Sequence, residues 1–202
     1  MKLFFLPEFS SLADHIALLE AGFEVEIAMV DIESKDIAGG GSYLHINPTG
    51  MVPALMFDDG EVLTENVAIL SWVADHAPQL APAMGFGRYR LLETLAFISS
   101  EIHKRFPIYL SLADVERSSI EDDLLRSFDL LSARLTHDYL LGDTFSVADA
   151  YLFVMARGAM ALGLPIGGKY SDYVKLIEAR PVVQKALSRE HSAVAALAQE
   201  RK

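Results

Sequence analysis

The chain has 202 residues, 51% of them hydrophobic, and a formal net charge of -11. That suits one or two small domains with an ample core, and excludes a nucleic-acid binder, whose phosphates such a charge would repel. No cysteine is present, which excludes a disulfide framework and a protein thiol nucleophile and permits a cytoplasmic home. No apolar stretch approaches the roughly 18 residues of a membrane span, and the Leu3 to Leu6 run stops at Pro7-Glu8, too short for a signal peptide.

Lys2 to Leu6 reads as a strand and Ser11 to Ala21 as a helix ended by Gly22. Glu24 to Val30 reads as a second strand with Val25, Ile27 and Met29 on one face. Ser34 to Asn47, with Gly39-Gly40-Gly41, is a long loop. Ala54 to Phe57 and Val62 to Leu63 form a hairpin across Asp58-Asp59-Gly60, and Thr64-Glu65-Asn66 opens an apolar helix. The order is βαβ followed by ββα, predicting a first domain over residues 1–77. Pro78, Pro82, Gly85 and Gly87 mark residues 78–87 as a linker. Residues 88–202 then read as an all-helical domain, with helices over Arg88 to Leu112, Ile120 to Leu140 and Val147 to Ala161. The last is apolar nearly all round, as a central buried helix should be. Ser146-Val147-Ala148-Asp149 is a capping box that starts it, a structural feature expected to contribute roughly 1 kcal/mol.

Gly50 to Leu70 reads as a ligand site built largely from backbone. An extended Val52 before Pro53 can offer its own N–H and C=O to a peptide-like ligand. The helix N-terminus beside Glu65 and Asn66 leaves unpaired N–H groups and a partial positive charge suited to a small carboxylate. Ser99, His103, Phe106 and Leu110 share one helix face, and Lys104 supplies positive charge within an acidic protein. Pro107 removes an N–H that would bond the His103 carbonyl, so a kink is expected there, opening a pocket for an apolar co-substrate lined by Phe106 and Tyr109. His15, His45, His76, His137 and His191 show no metal-ligand spacing, and no metal is implied.

This ordered set resembles the glutathione transferase family over the whole chain. V-P, a hairpin and an acidic residue plus Asn opening a helix are similar to its thioredoxin-like domain. KLFFLPEFSSLADHIALLEAG, EIHKRF at 101–106 and FSVADAYLF are most similar to the bacterial beta class. The resemblance implies an α+β fold, a thioredoxin-like βαβ-ββα domain followed by a helical bundle, with Pro53 cis. It implies that Val52, Pro53, Glu65, Asn66, Lys35 and Lys104 hold glutathione, Glu65 pairing with the γ-glutamyl ammonium and Lys35 with the glycine end. A thiol with a pKa of about 8.5 is only about 3% ionised at pH 7, and lowering it by about two units requires roughly 2.7 kcal/mol. The implied sources are a hydroxyl at the start of the first helix, Ser10 or Ser11, and His103 near the sulfur. Either serine can instead serve only as a helix cap.

Three departures from the family pattern stand out. Ser10 replaces the usual beta-class cysteine, which removes mixed-disulfide chemistry. Glu8 and Phe9 replace small residues and are expected to bring a negative charge and a bulky ring close to the thiol, Phe9 lining the substrate pocket. Ala96 replaces an asparagine contributed across the dimer. The leading expectation is a cytoplasmic, homodimeric glutathione transferase acting on small, partly apolar electrophiles, with neither nucleic acid nor membrane as partner. The alternatives are a non-catalytic binding or regulatory protein of the same fold, and a glutathione-dependent isomerase or dehalogenase.

Overall fold

The structure is a computed structural model that describes residues 1–82, 85–113 and 116–200, with side chains to residue 197. Strand β1 (Lys2–Phe5) contributes Leu3, Phe4 and Phe5, all buried, and therefore occupies the middle of a four-stranded sheet. It pairs in parallel with β2 (Glu26–Met29) and antiparallel with β3 (Ala54–Met56), and β3 pairs antiparallel with β4 (Val62–Thr64), giving the order β2-β1-β3-β4. The hairpin turns where expected, with the Phe57 N–H on the Glu61 carbonyl at 2.8 Å and Gly60 at φ 90°. Phe4, Ala54 and Thr64 lie in one cross-strand row. The C-terminal ends of β1, β2 and β4 and the start of β3 therefore meet at one edge of the sheet.

Helix α1 (Ser11–Glu20) follows β1, and α2 (Asn66–His76) follows β4. The expected 78–87 linker contains a short 3-10 turn at Pro78–Leu80, and α3 (Phe86–Phe97) begins inside its last two residues. Its residues 83 and 84 lie outside the described residues, as do residues 114, 115, 201 and 202 of the expected helical domain. The predicted 88–112 helix is divided. After α3 comes a π-helical turn at Ile98–His103, with the Lys104 N–H on the Ser99 carbonyl at 3.1 Å, and then α4 (Arg105–Ser111). A proline ring at 107 conflicts with the carbonyl four residues earlier, that of His103, and the widened turn falls just there.

Helix α5 (Ser118–Arg134) stops six residues before the predicted Leu140 boundary. Apolar spacing reports burial rather than backbone form, and Leu135 and Leu140 are buried from a loop. Helices α6 (Val147–Ala161), α7 (Gly168–Glu178) and α8 (Pro181–Glu200) complete the fold. Val147 to Ala156 of α6 are buried or nearly so, and α1 packs on both α6 and α8. One apolar core runs from Leu3 through Ile16 and Leu95 to Phe153 and Ile177, so sheet and helices share an interior.

The box at the start of α6 does more than cap. Asp149 Oδ2 accepts from the Ser146 N–H at 2.9 Å and the Ser146 hydroxyl at 2.7 Å. Its Oδ1 accepts from the Leu140 N–H at 2.7 Å and the Tyr173 hydroxyl at 2.9 Å. The carboxyl is fully buried and burial raises its pKa, against which these four donors pull. Asp149→Ala would strand buried donors from three segments, so it should lower unfolding free energy by about 3 kcal/mol or more, well beyond an exposed cap. Urea denaturation checks this; a loss near 1 kcal/mol would mean that only the cap counts.

Candidate active site

The sheet edge where β1, β2, β4 and β3 converge carries almost every binding residue expected from the sequence. The Val52-Pro53 peptide bond there is cis. Neither the N–H nor the C=O of Val52 hydrogen-bonds to another described residue, so both are open to a ligand backbone. The preceding carbonyl is fixed: Met51 C=O accepts from the buried Tyr43 hydroxyl at 2.8 Å and from Asn47 Nδ2 at 2.7 Å. Burial pushes the Tyr43 pKa up to about 12, so it remains a donor. Lys35 Nζ donates to the Gly50 carbonyl at 3.1 Å, which places its ammonium two residues from Val52.

Among the described residues, three other than glycine have positive φ, and all border this edge: Glu8 (66°), Lys35 (60°) and Glu65 (73°). Such backbone costs about 1–2 kcal/mol per residue and clusters at ligand sites. At Glu65 it leaves the side chain exposed at the N-terminus of α2, while its own carbonyl starts the helix by accepting the Ile69 N–H at 3.0 Å. Asn66 behaves differently from the sequence expectation of a side-chain ligand contact. It is buried, and Nδ2 donates to the Ser10 carbonyl at 3.0 Å and to Asp14 Oδ2 at 2.6 Å. The amide thereby ties the start of α2 to the start of α1.

The two serines part company. Ser11 is fully buried, and its hydroxyl donates to the Leu6 carbonyl at 3.1 Å and accepts the Leu6 N–H at 3.2 Å, closing the loop between β1 and α1. Ser10 precedes the first turn of α1, and its hydroxyl bonds to no other described residue. Its position at a helix N-terminus suits an anion. Phe9 lies beside it, 50% exposed. Glu8 turns its charge elsewhere: Oε2 accepts from Arg157 of α6 at 2.7 Å, and Oε1 meets His191 Nε2 of α8 at 3.1 Å. Partial burial would raise the Glu8 pKa, but the Arg157 and His191 contacts outweigh it and hold it below the ordinary carboxylate value. The negative charge expected against the thiol is thus already compensated.

His103, half-buried on the π-helical turn, places Nδ1 2.7 Å from the Tyr151 hydroxyl of α6. Ser99 of the same turn faces this hydroxyl too, and the fields of Asp14 and Glu65 reach it. The His103 pKa is lowered by burial, so the ring is neutral at pH 7. Lys104 is exposed at the start of α4 and Phe106 packs partly on the core. Tyr109 is buried with its hydroxyl 3.5 Å from Glu121 of α5 and Arg117 over its ring, so it braces α4 against α5. Ala96 is exposed on α3 among Phe97, Ser100 and Arg134.

Sequence reasoning missed Tyr43 and Asn47, which hold the Met51 carbonyl, and Asp14, which holds Asn66. The turn chemistry of Asn47-Pro48-Thr49-Gly50 and a lone Asp14-His15 pair in an apolar helix were the available signals. His15 is also fully buried, with Nδ1 3.0 Å from Glu190 Oε1 of α8.

The N-terminal domain model of the glutathione S-transferase family matches residues 14–76 and its C-terminal domain model residues 69–188. The chain belongs to the glutathione S-transferase family. It is 37% identical to glutathione S-transferase GstA of Escherichia coli O157:H7, covering 94% of this chain and 98% of that one. Within the family it is similar to the bacterial beta class: the Sphingomonas chungbukensis enzyme of that class superposes with a TM-score of 0.84 at 39% identity, covering 94% of this chain and 98% of that one. A sphingomonad glutathione S-transferase complexed with glutathione superposes at 0.86 with 39% identity, covering 95% of this chain and 99% of that one.

Burial raises the Asp14 pKa well above its ordinary 3.8. Between those values the folded chain keeps a proton that the unfolded chain has lost, so this contribution is present in acid and is lost as pH rises through the folded value. Asp14→Asn keeps an acceptor for Asn66 and does not titrate. Relative to wild type, its urea midpoint should therefore improve as pH rises from about 4 to about 8; parallel curves would show that Asp14 does not carry the extra proton.

Proposed function

We propose that this glutathione transferase activates the thiol of bound glutathione with the Ser10 hydroxyl and adds or transfers the resulting thiolate to small, partly apolar electrophiles. The observation that carries the reading is the contrast between the two serines: Ser11 is committed to both backbone groups of Leu6, whereas Ser10 is unbonded at the N-terminus of α1. A charge-assisted hydrogen bond contributes about 1.5–3 kcal/mol. The helix terminus adds about 0.3–1 kcal/mol, and together they meet the roughly 2.7 kcal/mol that a two-unit shift requires.

The residues around Ser10 divide the peptide between them. Val52 offers a backbone pair for the cysteinyl unit of glutathione, Pro53 fixing that edge. Glu65 faces the γ-glutamyl ammonium, the N-terminus of α2 its carboxylate, and Lys35 the glycine carboxylate. The Asn66 side chain serves by orienting Ser10 rather than by touching the ligand. The Tyr151 hydroxyl stays protonated, because burial pushes its pKa up, and we assign it as the donor to His103 Nδ1, 2.7 Å away. The proton of the neutral His103 ring then sits on Nε2 as a donor, and Lys104 adds positive potential beside it. Phe9 and Phe106 offer apolar surface to the electrophile. Exposed Phe86, Tyr89 and Leu130 on α3 and α5 support a homodimer through that face, and we place the enzyme in the cytoplasm.

Ser10→Ala should raise the thiol pKa of bound glutathione by about one unit or more and lower kcat by about 10- to 100-fold, with KM for glutathione nearly unchanged. Ultraviolet titration of the thiolate and steady-state kinetics read both. Ser11→Ala should instead lower stability by about 1–2 kcal/mol, because it strands Leu6 backbone groups. A thiolate lost in Ser11→Ala and kept in Ser10→Ala would reverse the assignment.

A further inference from the structure

The loop between β1 and α1 is fastened from two sides. Within it, the Ser11 hydroxyl holds both backbone groups of Leu6, and the Phe9 N–H reaches the Leu6 carbonyl at 3.3 Å. Residues 9 and 10 are held through backbone, the Phe9 and Ser10 carbonyls accepting from Leu12 and Ala13 and Asn66 also reaching the buried Ser10, but the side chains of residues 7–10 have little to hold them. Pro7 lacks an N–H, the Phe9 ring is half-exposed, and the Ser10 hydroxyl is unbonded. Among the side chains of these four residues, only Glu8 hydrogen-bonds to another described residue, and both of its partners come from the helical half of the molecule, 149 and 183 residues further along the chain. Arg157, 28% exposed, donates at 2.7 Å, stands on the same helix α6 that packs against α1, and lies 3.8 Å from Glu178. His191, on α8, completes the fork.

The backbone at Glu8 makes this more than a surface ion pair. Exposed pairs contribute little to stability, but Glu8 has φ 66°, two residues before Ser10. A residue other than glycine persists there only where its surroundings over-determine it, and the side-chain contacts available to do so are those to Arg157 and His191. A glycine would adopt the same φ without help. A glutamate in its place couples the conformation of the loop to the helical half of the chain.

We infer that Arg157 and His191, acting through Glu8, are positioning residues for thiol activation: the clamp sets the path of residues 7–10 and so the direction of the Ser10 hydroxyl. The inference deepens the reading of Ser10 as thiol donor and rests on it. Both side chains act through Glu8 rather than on the ligand. Their effect belongs to kcat and to the thiol pKa, because the backbone at Val52 and the charges at Glu65 and Lys35, which bind the peptide, lie on other loops.

The test compares Arg157→Met, Arg157→Lys, Glu8→Gly and Ser10→Ala, reading kcat, KM for glutathione and the thiolate titration of bound glutathione. Arg157→Met should lower kcat roughly tenfold, raise the thiol pKa by about half a unit or more, and leave KM within about twofold. Arg157→Lys should recover much of the loss. Glu8→Gly should fail like Arg157→Met although glycine relieves the positive φ, and the double variant should be no worse than either single one. Wild-type kcat and thiol pKa in Glu8→Gly and Arg157→Met, with Ser10→Ala impaired, would overturn the clamp and leave the Ser10 reading standing. An unchanged thiolate in Ser10→Ala would overturn both.

Discussion

The Asn66 side chain is the joint on which the site depends. One amide group, buried at the first turn of α2, donates to the carbonyl of Ser10, just before α1, and to Asp14 in its first turn. Two helix N-termini that enter the sheet edge from different strands are thereby held side by side. Their unpaired N–H groups and partial positive charge point at the same region. The proposed thiol donor belongs to one terminus and the proposed γ-glutamyl partner, Glu65, to the other. Loss of this bond would let the two halves of the binding edge move independently.

The acidic balance of the chain, -11 overall, makes the local arrangement of charge decisive. An anionic tripeptide would be repelled by an evenly acidic surface. At the site, however, Glu8 is paired with Arg157 and hydrogen-bonded to His191, Asp14 is buried with its pKa raised, and Lys35 is drawn in by the Gly50 carbonyl. Of the carboxylates assigned to the binding edge, Glu65 is the one left uncompensated, and it is the one proposed to face the ligand's ammonium. Burial and pairing together convert an unfavourable net charge into a site suited to a peptide with charges at both ends.

The helical half contributes through a small number of buried polar contacts. Asp149 gathers donors from the loop at Leu140, from the cap of α6 and from Tyr173 of α7. The π-helical turn presents Ser99 and His103 to the same Tyr151 hydroxyl of α6. These contacts fix α6 in the middle of the bundle, and α6 is the helix against which α1 rests. The loop between β1 and α1, which carries the proposed thiol donor, is therefore tied to the helices as well as to the sheet, through Arg157 on that helix.

The strands, the hairpin turn, the cap at Ser146 and the helix openings at Ser10 and Glu65 were legible in the sequence, because each is written in neighbouring residues: alternation, a Gly-containing turn, a capping pair. The extent of α5 was not, since Leu135 and Leu140 are apolar for burial in a loop and periodicity cannot distinguish that from a helix. Nor was the division of labour between Ser10 and Ser11, adjacent and identical in type, which turns on which hydroxyl the Leu6 backbone reaches. The roles of Asn66, Asp14 and Glu8 likewise depend on partners 52, 149 and 183 residues away. Local sequence fixes conformational preference and residue chemistry. Which polar groups are spent on the fold and which remain for a ligand is decided only when the two halves of the chain close on one core.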